Sequence, residues 1–230
     1  MGDVITRGFK SVIARKNVAG GGGVSPGTSM WNGWYDFNNT TPGDGRLDAT
    51  ANSYDLTSTA TPTYVTTGPE YVVYAGTAYD SSSALGGVWC ASDGDWTAVA
   101  RFKGAGINDK VFSNTARHAM TWGSGVITTR IGAGVTVSYT HANTYSGVWV
   151  TAIAQHDTSA NETRIYFLNE NGTAADATVT GDWNTGTMNI SEAAGLVDID
   201  FVAFGNRLLT EDERLWFGNN SSEAKQWSDL

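Results

Sequence analysis

The stretch that decides the fold is VDIDFVAFGNRLLTEDERLWF, residues 197–217. Its first half alternates apolar and acidic residues and then becomes fully apolar, which is typical of a β-strand in a sandwich. Its second half predicts a short helix, because Thr210 and Glu213 have the spacing of a capping box. Residues 211–213 place negative charge in the first turn, where the helix dipole favours it. A strand that leads directly into a C-terminal helix is therefore expected.

The chain before this stretch has further strand patterns separated by turns. Residues 96–102 and 134–139 alternate between apolar and smaller or polar side chains, as half-buried antiparallel strands do. Residues 148–154 and 164–168 are apolar on both faces, as expected for central strands. Turn residues recur at a spacing of roughly 8–12 residues, which is typical of an all-β sandwich.

Composition and charge exclude several classes of protein. The 230 residues are 40% hydrophobic and 16% charged, with 28 Gly and nine Trp, so the chain has enough apolar surface to form a core. No run of about 18 apolar residues is present, and membrane insertion is not expected. Residues 1–16 carry a net charge of +3, which leaves −12 on the remaining chain. Because an acidic body repels phosphates, nucleic acid is not an expected partner.

Four stretches of the body occur in a characteristic order. They are residues 35–37 with 48–57, residues 95–100, residues 149–154 with 163–169, and residues 199–213. In this order they resemble the laminin-G-like jelly roll of the concanavalin A-like lectin/glucanase superfamily, and the last stretch is the most specific. The resemblance implies an all-β fold, a two-sheet antiparallel jelly-roll sandwich with one short C-terminal helix. The predicted domain covers residues 30–220, and residues 221–230 form a C-terminal tail.

The sequence departs from this family in two turns. Ala49 to Ser53 stand where the family has a glycine pair, and residues 166–172 form a longer turn without the family's Asp. Binding properties that the family places in these turns are therefore not transferred to this chain.

Residues 1–29 are predicted to be a basic arm followed by a Gly-rich linker. The linker residues 18–29, VAGGGGVSPGTS, do not favour a helix or strand. Residues 4–9, VITRGF, are similar to the N-termini of small tailed-phage structural proteins. This resemblance implies an arm that anchors the chain to a virion, with a frayed terminus as the alternative. The expected anchoring residues are Ile5, Arg7, Phe9 and Lys10.

The cysteine content is consistent with a virion protein that folds in the reducing cytoplasm of the host. Cys90 is the only cysteine, so no intramolecular disulfide is possible. The N-terminus shows no apolar export segment. We expect a protein that is made in the host cytoplasm and located in the virion, with other virion proteins (capsid, neck or fibre) as partners. A homo-oligomer is expected by analogy with particle appendages.

Aromatic residues beside polar turns are candidate glycan contacts. An aromatic face packs on the apolar side of a sugar, while Asn and Asp bind its hydroxyl groups. Core packing is the alternative for each Trp, because nine Trp cannot all lie at a surface. The candidates for binding host-surface polysaccharide are Trp89, Asp93, Trp122, Asn143, Tyr145 and Trp183.

One acidic loop is a candidate calcium site, and no other cofactor is expected. Carboxylate and amide oxygens are the ligands that Ca²⁺ prefers, although the spacing is not that of an EF-hand. The alternative is that these side chains cap their own backbone in turns. The candidate ligands are Asp44, Asp48, Asn52 and Asp55.

Catalytic patterns are weak. The E-x-D-x-x-E signature of the family's glucanases is missing, and Asp198 and Asp200 are the only carboxylate pair that shares one face of a strong strand. We expect this pair to lie on a solvated outward edge. The three His residues and Cys90 lack the spacing of a metal site or a catalytic triad.

Together these features predict a non-enzymatic phage virion structural protein, such as a decoration, neck or fibre module. The N-terminal arm would anchor it and the lectin-like domain would adhere to host-surface glycans. A free carbohydrate-binding module is the alternative from another class, followed by a glycoside hydrolase.

Overall fold

Two antiparallel β-sheets form the body of the molecule in this computed structural model. The structure describes residues 23–37, 46–58, 62–65, 71–74, 79–89, 94–104, 109–114, 118–123, 125–131, 135–176, 186–191, 197–218 and 229–230. In chain order the strands are β1 (Trp31–Asp36), β2 (Thr57–Ser58), β3 (Thr63–Val65), β4 (Tyr71–Tyr74), β5 (Asp80–Ser82), β6 (Trp96–Gly104), β7 (Asp109–Asn114), β8 (His118–Gly123), β9 (Val126–Ile131), β10 (Val135–Thr140), β11 (Val150–Asp157), β12 (Glu162–Phe167), β13 (Gly172–Asp176), β14 (Met188–Ile190) and β15 (Val197–Gly205). The α-helices are α1 (Ser83–Trp89) and α2 (Glu211–Trp216), and a 3-10 helix covers Leu168–Glu170.

The strand order confirms the predicted sandwich. The larger sheet has the order β13-β12-β11-β6-β15-β4-β3, and β1 pairs with the second half of β15. The smaller sheet has the order β10-β9-β8-β7-β14-β5-β2. The deciding stretch forms β15, which pairs with β6 along its whole length. A register shift between Ile199 and Phe201 leaves Asp200 as the extra residue of a bulge in β15.

Two apolar layers cover the two faces of the larger sheet. On the inner face, Ala98, Ala100 and Phe102 of β6 are buried against the smaller sheet. On the outer face, Trp34 of β1 stacks on Phe201 of β15, with ring centroids 5.3 Å apart. The other members of this outer layer include Val99, Ile153, Ala203, Trp216 and Phe217. The outer layer explains why β15 becomes fully apolar in its second half.

The predicted C-terminal helix is confirmed, and a second helix is found. In α2 the Glu213 N–H donates to Thr210 Oγ1, and the Thr210 N–H donates to Glu213 Oε2. Helix α1 was not predicted, because its sequence SALGGVW contains two glycines, which are poor helix formers. Gly86 is required there by close packing, since a Cβ atom would lie 1.7 Å from the carbonyl oxygen of Gly186. Among the described residues, no helix is long and apolar enough to cross a membrane.

The second half of the predicted linker packs on α2. The Val24 N–H donates to the Asp212 carbonyl at 3.2 Å, and Arg207 Nη2 donates to the Pro26 carbonyl at 3.0 Å. Pro26 is buried. Val24 and Pro26 of the predicted linker therefore contact the folded body, and the Gly- and Pro-rich composition did not predict these contacts.

Candidate functional site

Two predicted glycan contacts are wrong, because Trp89 and Trp122 belong to the core. Trp89 is 5% exposed, and its indole N–H donates to the carbonyl oxygens of Thr97 and Gly205. Trp122 is 3% exposed and stacks on His141 with centroids 4.8 Å apart. Neither ring face is available to a sugar. The alternative of core packing holds for both.

The predicted residues Asn143 and Tyr145 do lie together, in the loop between β10 and β11. Asn143 is exposed, whereas Tyr145 is partly buried with its ring edge-on to Phe167. Glu170 fixes this loop through both oxygens, which accept hydrogen bonds from the Ala142 and Asn143 N–H groups. Burial would raise the pKa of the Glu170 carboxyl, but these hydrogen bonds hold it at about 2. The polar groups at the start of the loop are therefore already bound by Glu170, which follows β12.

Several other predicted residues lie outside the described part of the chain. They are Asp93 and Trp183 of the glycan set, Asp44 of the calcium set, and the arm residues Ile5, Arg7, Phe9 and Lys10. Their assignments stay predictions.

The described part of the predicted calcium loop caps its own backbone. Asp48 accepts hydrogen bonds from the N–H groups of Trp34, Thr50 and Tyr54, and from the Thr50 hydroxyl. Asp55 Oδ1 accepts from the Asp48 N–H at 2.9 Å. Asn52 donates to the Asn32 carbonyl at 3.1 Å. Within the described ranges, no group of three or more His, Cys, Asp or Glu side chains could hold a metal ion.

The outer face of the larger sheet carries two cation–carboxylate pairs next to its apolar layer. Arg101 and Lys103 on β6 alternate with residues that face the core. Lys103 Nζ lies 2.6 Å from Asp198 Oδ2 on β15, and these two residues are directly opposite in register. Arg101 forms an ion pair with Asp200.

The prediction that Asp200 lies on a solvated edge is wrong. Asp200 is 1% exposed and Arg101 is 3% exposed. Burial lowers the pKa of the Arg101 guanidinium to about 10, so it remains charged at neutral pH. The bulge places Asp200 in the sheet interior, where β1 runs alongside and the Phe37 N–H donates to its carbonyl. Asp198, by contrast, keeps some exposure through its side chain.

Two aromatic rings lie over these cations. Trp149 and Tyr71 are partly exposed and pack edge to face, with centroids 5.2 Å apart. Lys103 Nζ lies 4.8 Å from the Tyr71 centroid and 5.2 Å from that of Trp149. The Arg101 guanidinium carbon lies 5.0 Å from the Trp149 centroid. We call these six residues the outer-face site: Tyr71, Arg101, Lys103, Trp149, Asp198 and Asp200.

Hydrogen bonds fix the backbone both before and after Trp149. Asn169 Nδ2 donates to the Trp149 carbonyl at 3.2 Å, and the Thr151 N–H donates to Asn169 Oδ1 at 2.9 Å. Before Trp149, the Gly147 N–H donates to the Gly104 carbonyl at 2.9 Å, next to Lys103. Trp149 is thus fixed directly before β11, which favours a preformed binding surface.

From the sequence alone, Trp149 indicated only that a strand begins nearby. The usable signal was the i, i+2 spacing of like charges in two otherwise apolar strands, basic in residues 101–103 and acidic in residues 198–200. Two such strands of opposite charge can pair on one sheet face. The presence of Tyr71 and Trp149 above them depends on strand order, which no local pattern indicates.

A cleft lies where α2 meets β11 and β12. It has a volume of about 240 Å³ and is lined by Gln155, Asp157, Glu162, Arg164, Tyr166, Leu208, Leu209 and Arg214. The Arg214 guanidinium lies 4.2 Å from the Tyr166 ring centroid and covers one of its faces. Arg164 forms an ion pair with Glu162. The ring of Tyr166 thus has one face next to a cation, as the rings of Tyr71 and Trp149 do in the outer-face site.

Comparisons with known proteins identify the fold. No family model and no curated protein matches the sequence. A structure of botulinum neurotoxin type C, whose cell entry depends on interaction with two ganglioside molecules, is similar with a TM-score of 0.63 and 7% identity, over 84% of this chain and 52% of that one. The serotype G binding domain gives a TM-score of 0.60 at 10% identity, over 81% and 50%.

A mutant Trypanosoma rangeli sialidase that displays trans-sialidase activity is also similar, with a TM-score of 0.58 and 11% identity, over 83% of this chain and 32% of that chain. The chain thus spans about half the length of the toxin structures that it resembles. At these identities the similarity establishes the fold alone. The chain has a two-sheet antiparallel β-sandwich fold of the jelly-roll type.

Proposed function

We propose that this chain is a non-catalytic carbohydrate-binding protein that binds glycan at the outer-face site. The observation that carries the proposal is the partly exposed Tyr71–Trp149 pair beside the Lys103–Asp198 ion pair. Aromatic faces pack on the apolar side of a sugar ring, and an ammonium donor beside a carboxylate acceptor suits its hydroxyl groups. Val148, which directly precedes Trp149 in the chain, is 40% exposed.

The fold comparison lends further support to a glycan as the ligand class. The type C toxin interacts with gangliosides, which are glycolipids, and a related structure is the receptor-binding domain of botulinum neurotoxin D. A similar sandwich can therefore serve as a binding domain.

A binding role is favoured over hydrolysis by the state of the two carboxylates. Glycoside hydrolysis requires two carboxyl groups that both reach the scissile bond. Here Asp198 pairs with Lys103, and Asp200 pairs with Arg101 and is 1% exposed, so each carboxylate is engaged by a cation and Asp200 is not placed to reach a bound substrate. Measurable cleavage of a bound polysaccharide that disappears in Asp198→Asn would contradict the non-catalytic role.

The replacement Trp149→Ala tests the site. Glycans that bind the intact chain on an array are expected to bind this variant at least about tenfold more weakly, a loss of about 1.4 kcal/mol, because the largest apolar face is removed. Titration calorimetry measures the affinity, and an unchanged melting temperature checks the fold.

Tyr145→Ala is the matched control, since Tyr145 is a partly buried aromatic residue of the predicted loop site. Its affinity is expected to equal that of the unmodified chain. The reverse pattern, with Tyr145→Ala impaired and Trp149→Ala normal, would place the glycan at the loop and refute the outer-face site.

A second proposal concerns attachment to a virion and rests on the sequence of the arm. Residues 1–16 carry a net charge of +3, opposite in sign to the body, and residues 4–9 resemble phage structural proteins. Gly23, which follows the arm in the sequence, lies beside Asp212 of α2. Particle proteins and other copies of this chain would be its partners.

Deletion of residues 1–22 tests attachment. The shortened chain is expected to keep its melting temperature and glycan binding, because contacts of the body with residues 23–29 are retained. It is expected to be lost from virus particles, as measured by co-sedimentation with particles assembled in the same cells. Sedimentation of the shortened and intact chains in equal amounts would refute anchoring by the arm.

A further inference from the structure

The charges of the outer-face site are balanced within the site itself. Arg101 faces Asp200 and Lys103 faces Asp198, so the four charged side chains have a net charge of zero. An anionic sugar that approached Lys103 would compete with Asp198 for the ammonium group and would lie close to that carboxylate. Like charges brought together in a partly desolvated site are unfavourable.

Arg101 does not offer an alternative cation to an anionic ligand. Its side chain is 4% exposed, and its guanidinium group is engaged by Asp200 and lies beneath Trp149. A ligand carboxylate could reach it only after displacement of the indole ring that the proposed function requires.

The negative charge of the rest of the chain also disfavours anionic ligands. The sequence outside the basic residues 1–16 has a net charge of −12. Such an excess lowers the local concentration of anions near the surface, most strongly at low ionic strength.

The groups that remain suit uncharged sugars. The Lys103 ammonium has three N–H donors, of which one is used by Asp198, and the carboxylate has two oxygens with several acceptor positions. The pair therefore offers a donor and an acceptor side by side, at a spacing that suits two adjacent hydroxyl groups. Trp149 and Tyr71 provide the apolar contact.

We infer that the outer-face site selects neutral glycans over glycans that carry a carboxylate or sulfate group. This inference rests on the proposed function and assigns its ligand class. It sets this chain apart from a protein such as the type C toxin, which interacts with gangliosides, since gangliosides are acidic glycolipids.

Matched glycan pairs test the inference on the full chain. An immobilised panel presents neutral glucose-, galactose- and mannose-terminated oligosaccharides, each beside its sialylated, sulfated or uronate-containing counterpart. The neutral member is expected to bind at least about tenfold more tightly, which corresponds to the loss of one charge-assisted contact. The ratio is expected to fall as salt rises from low ionic strength to about 0.5 M.

The variant Asp198→Asn tests whether the Asp198 carboxylate causes the preference for neutral glycans. It removes the competing carboxylate and leaves Lys103 with an uncompensated charge, so the preference for the neutral member is expected to shrink or reverse. Glu162→Gln removes the carboxylate of the Arg164 pair in the α2 cleft and is the control, for which the preference is expected to stay unchanged.

The outcomes separate the two proposals. Equal or tighter binding of the acidic members would overturn the inference and leave glycan binding standing. Binding of neither series would overturn both. A preference for neutral members that Asp198→Asn does not alter would also overturn the inference, since the selectivity would then lie elsewhere.

Discussion

Replacement of Arg101 with Met is expected to lower the free energy of unfolding by about 3–5 kcal/mol, because it leaves the Asp200 carboxylate buried without its partner. Asp200 is 1% exposed, and its Oδ2 atom pairs with Arg101. Among the described residues, no group donates a hydrogen bond to its Oδ1 atom. The remaining carboxylate would therefore be poorly compensated. Urea unfolding at pH 7, followed by tryptophan fluorescence, measures the change.

Two control variants separate the cost of an unpaired buried charge from the cost of removing a cation on the same sheet face. Arg101→Met combined with Asp200→Leu removes both charges and is expected to recover most of the lost stability, as with other buried pairs replaced by apolar residues. Lys103→Met removes the more exposed cation of the same face and is expected to cost no more than about 1 kcal/mol. Equal losses for Arg101→Met and Lys103→Met would show that the buried pair is not coupled as the structure indicates.

The same variants link stability to binding. The Arg101 guanidinium lies 5.0 Å from the Trp149 centroid, a distance at which a cation interacts favourably with an indole face. Arg101 is thus a positioning residue for Trp149 in the proposed site. The stable double variant would keep the fold but lose this contact.

Much of the fold could be predicted from local patterns. Strand β6 and the capping box of α2 could be predicted from neighbouring residues, and both were confirmed. The expected half-burial of β6 is wrong, because residues 96–102 are buried on both faces of the sheet. Helix α1 escaped prediction because it contains two glycines, of which Gly86 is explained only by a contact with Gly186, a hundred residues away in sequence. A contact between residues so far apart in sequence cannot be predicted from their neighbours.

The candidate site was predictable only in part, for a related reason. The sequence indicated that Asp198 and Asp200 share an outward face, but the solvation of that face depends on β1 and on Arg101. Trp89 and Trp122 stand beside turns, yet their rings point between the sheets. Proximity to a turn does not determine the direction of a side chain, because strand register decides it.

Replacement of Asp48 with Ala is the second large expected effect, a loss of about 2–4 kcal/mol in the free energy of unfolding. The buried Asp48 carboxylate accepts hydrogen bonds from three backbone N–H groups and one hydroxyl, on residues from Trp34 to Tyr54. Alanine leaves these donors without their acceptor. Asp55→Ala is the control and is expected to cost about 1 kcal/mol, because Asp55 Oδ1 accepts the Asp48 N–H at 2.9 Å in a less buried setting.

If the Asp48 carboxylate instead bound Ca²⁺, the stability of the folded chain would depend on calcium. A bound Ca²⁺ ion would stabilise the folded state by about 2.7 kcal/mol at a hundred times its dissociation constant, so the melting temperature would depend on calcium. Because both Asp48 oxygens already accept hydrogen bonds, we expect the unmodified chain to melt at the same temperature in EDTA and in millimolar CaCl₂. A melting temperature that rises in CaCl₂, and no longer does so in Asp48→Ala, would refute turn capping as the role of Asp48 and support the calcium site.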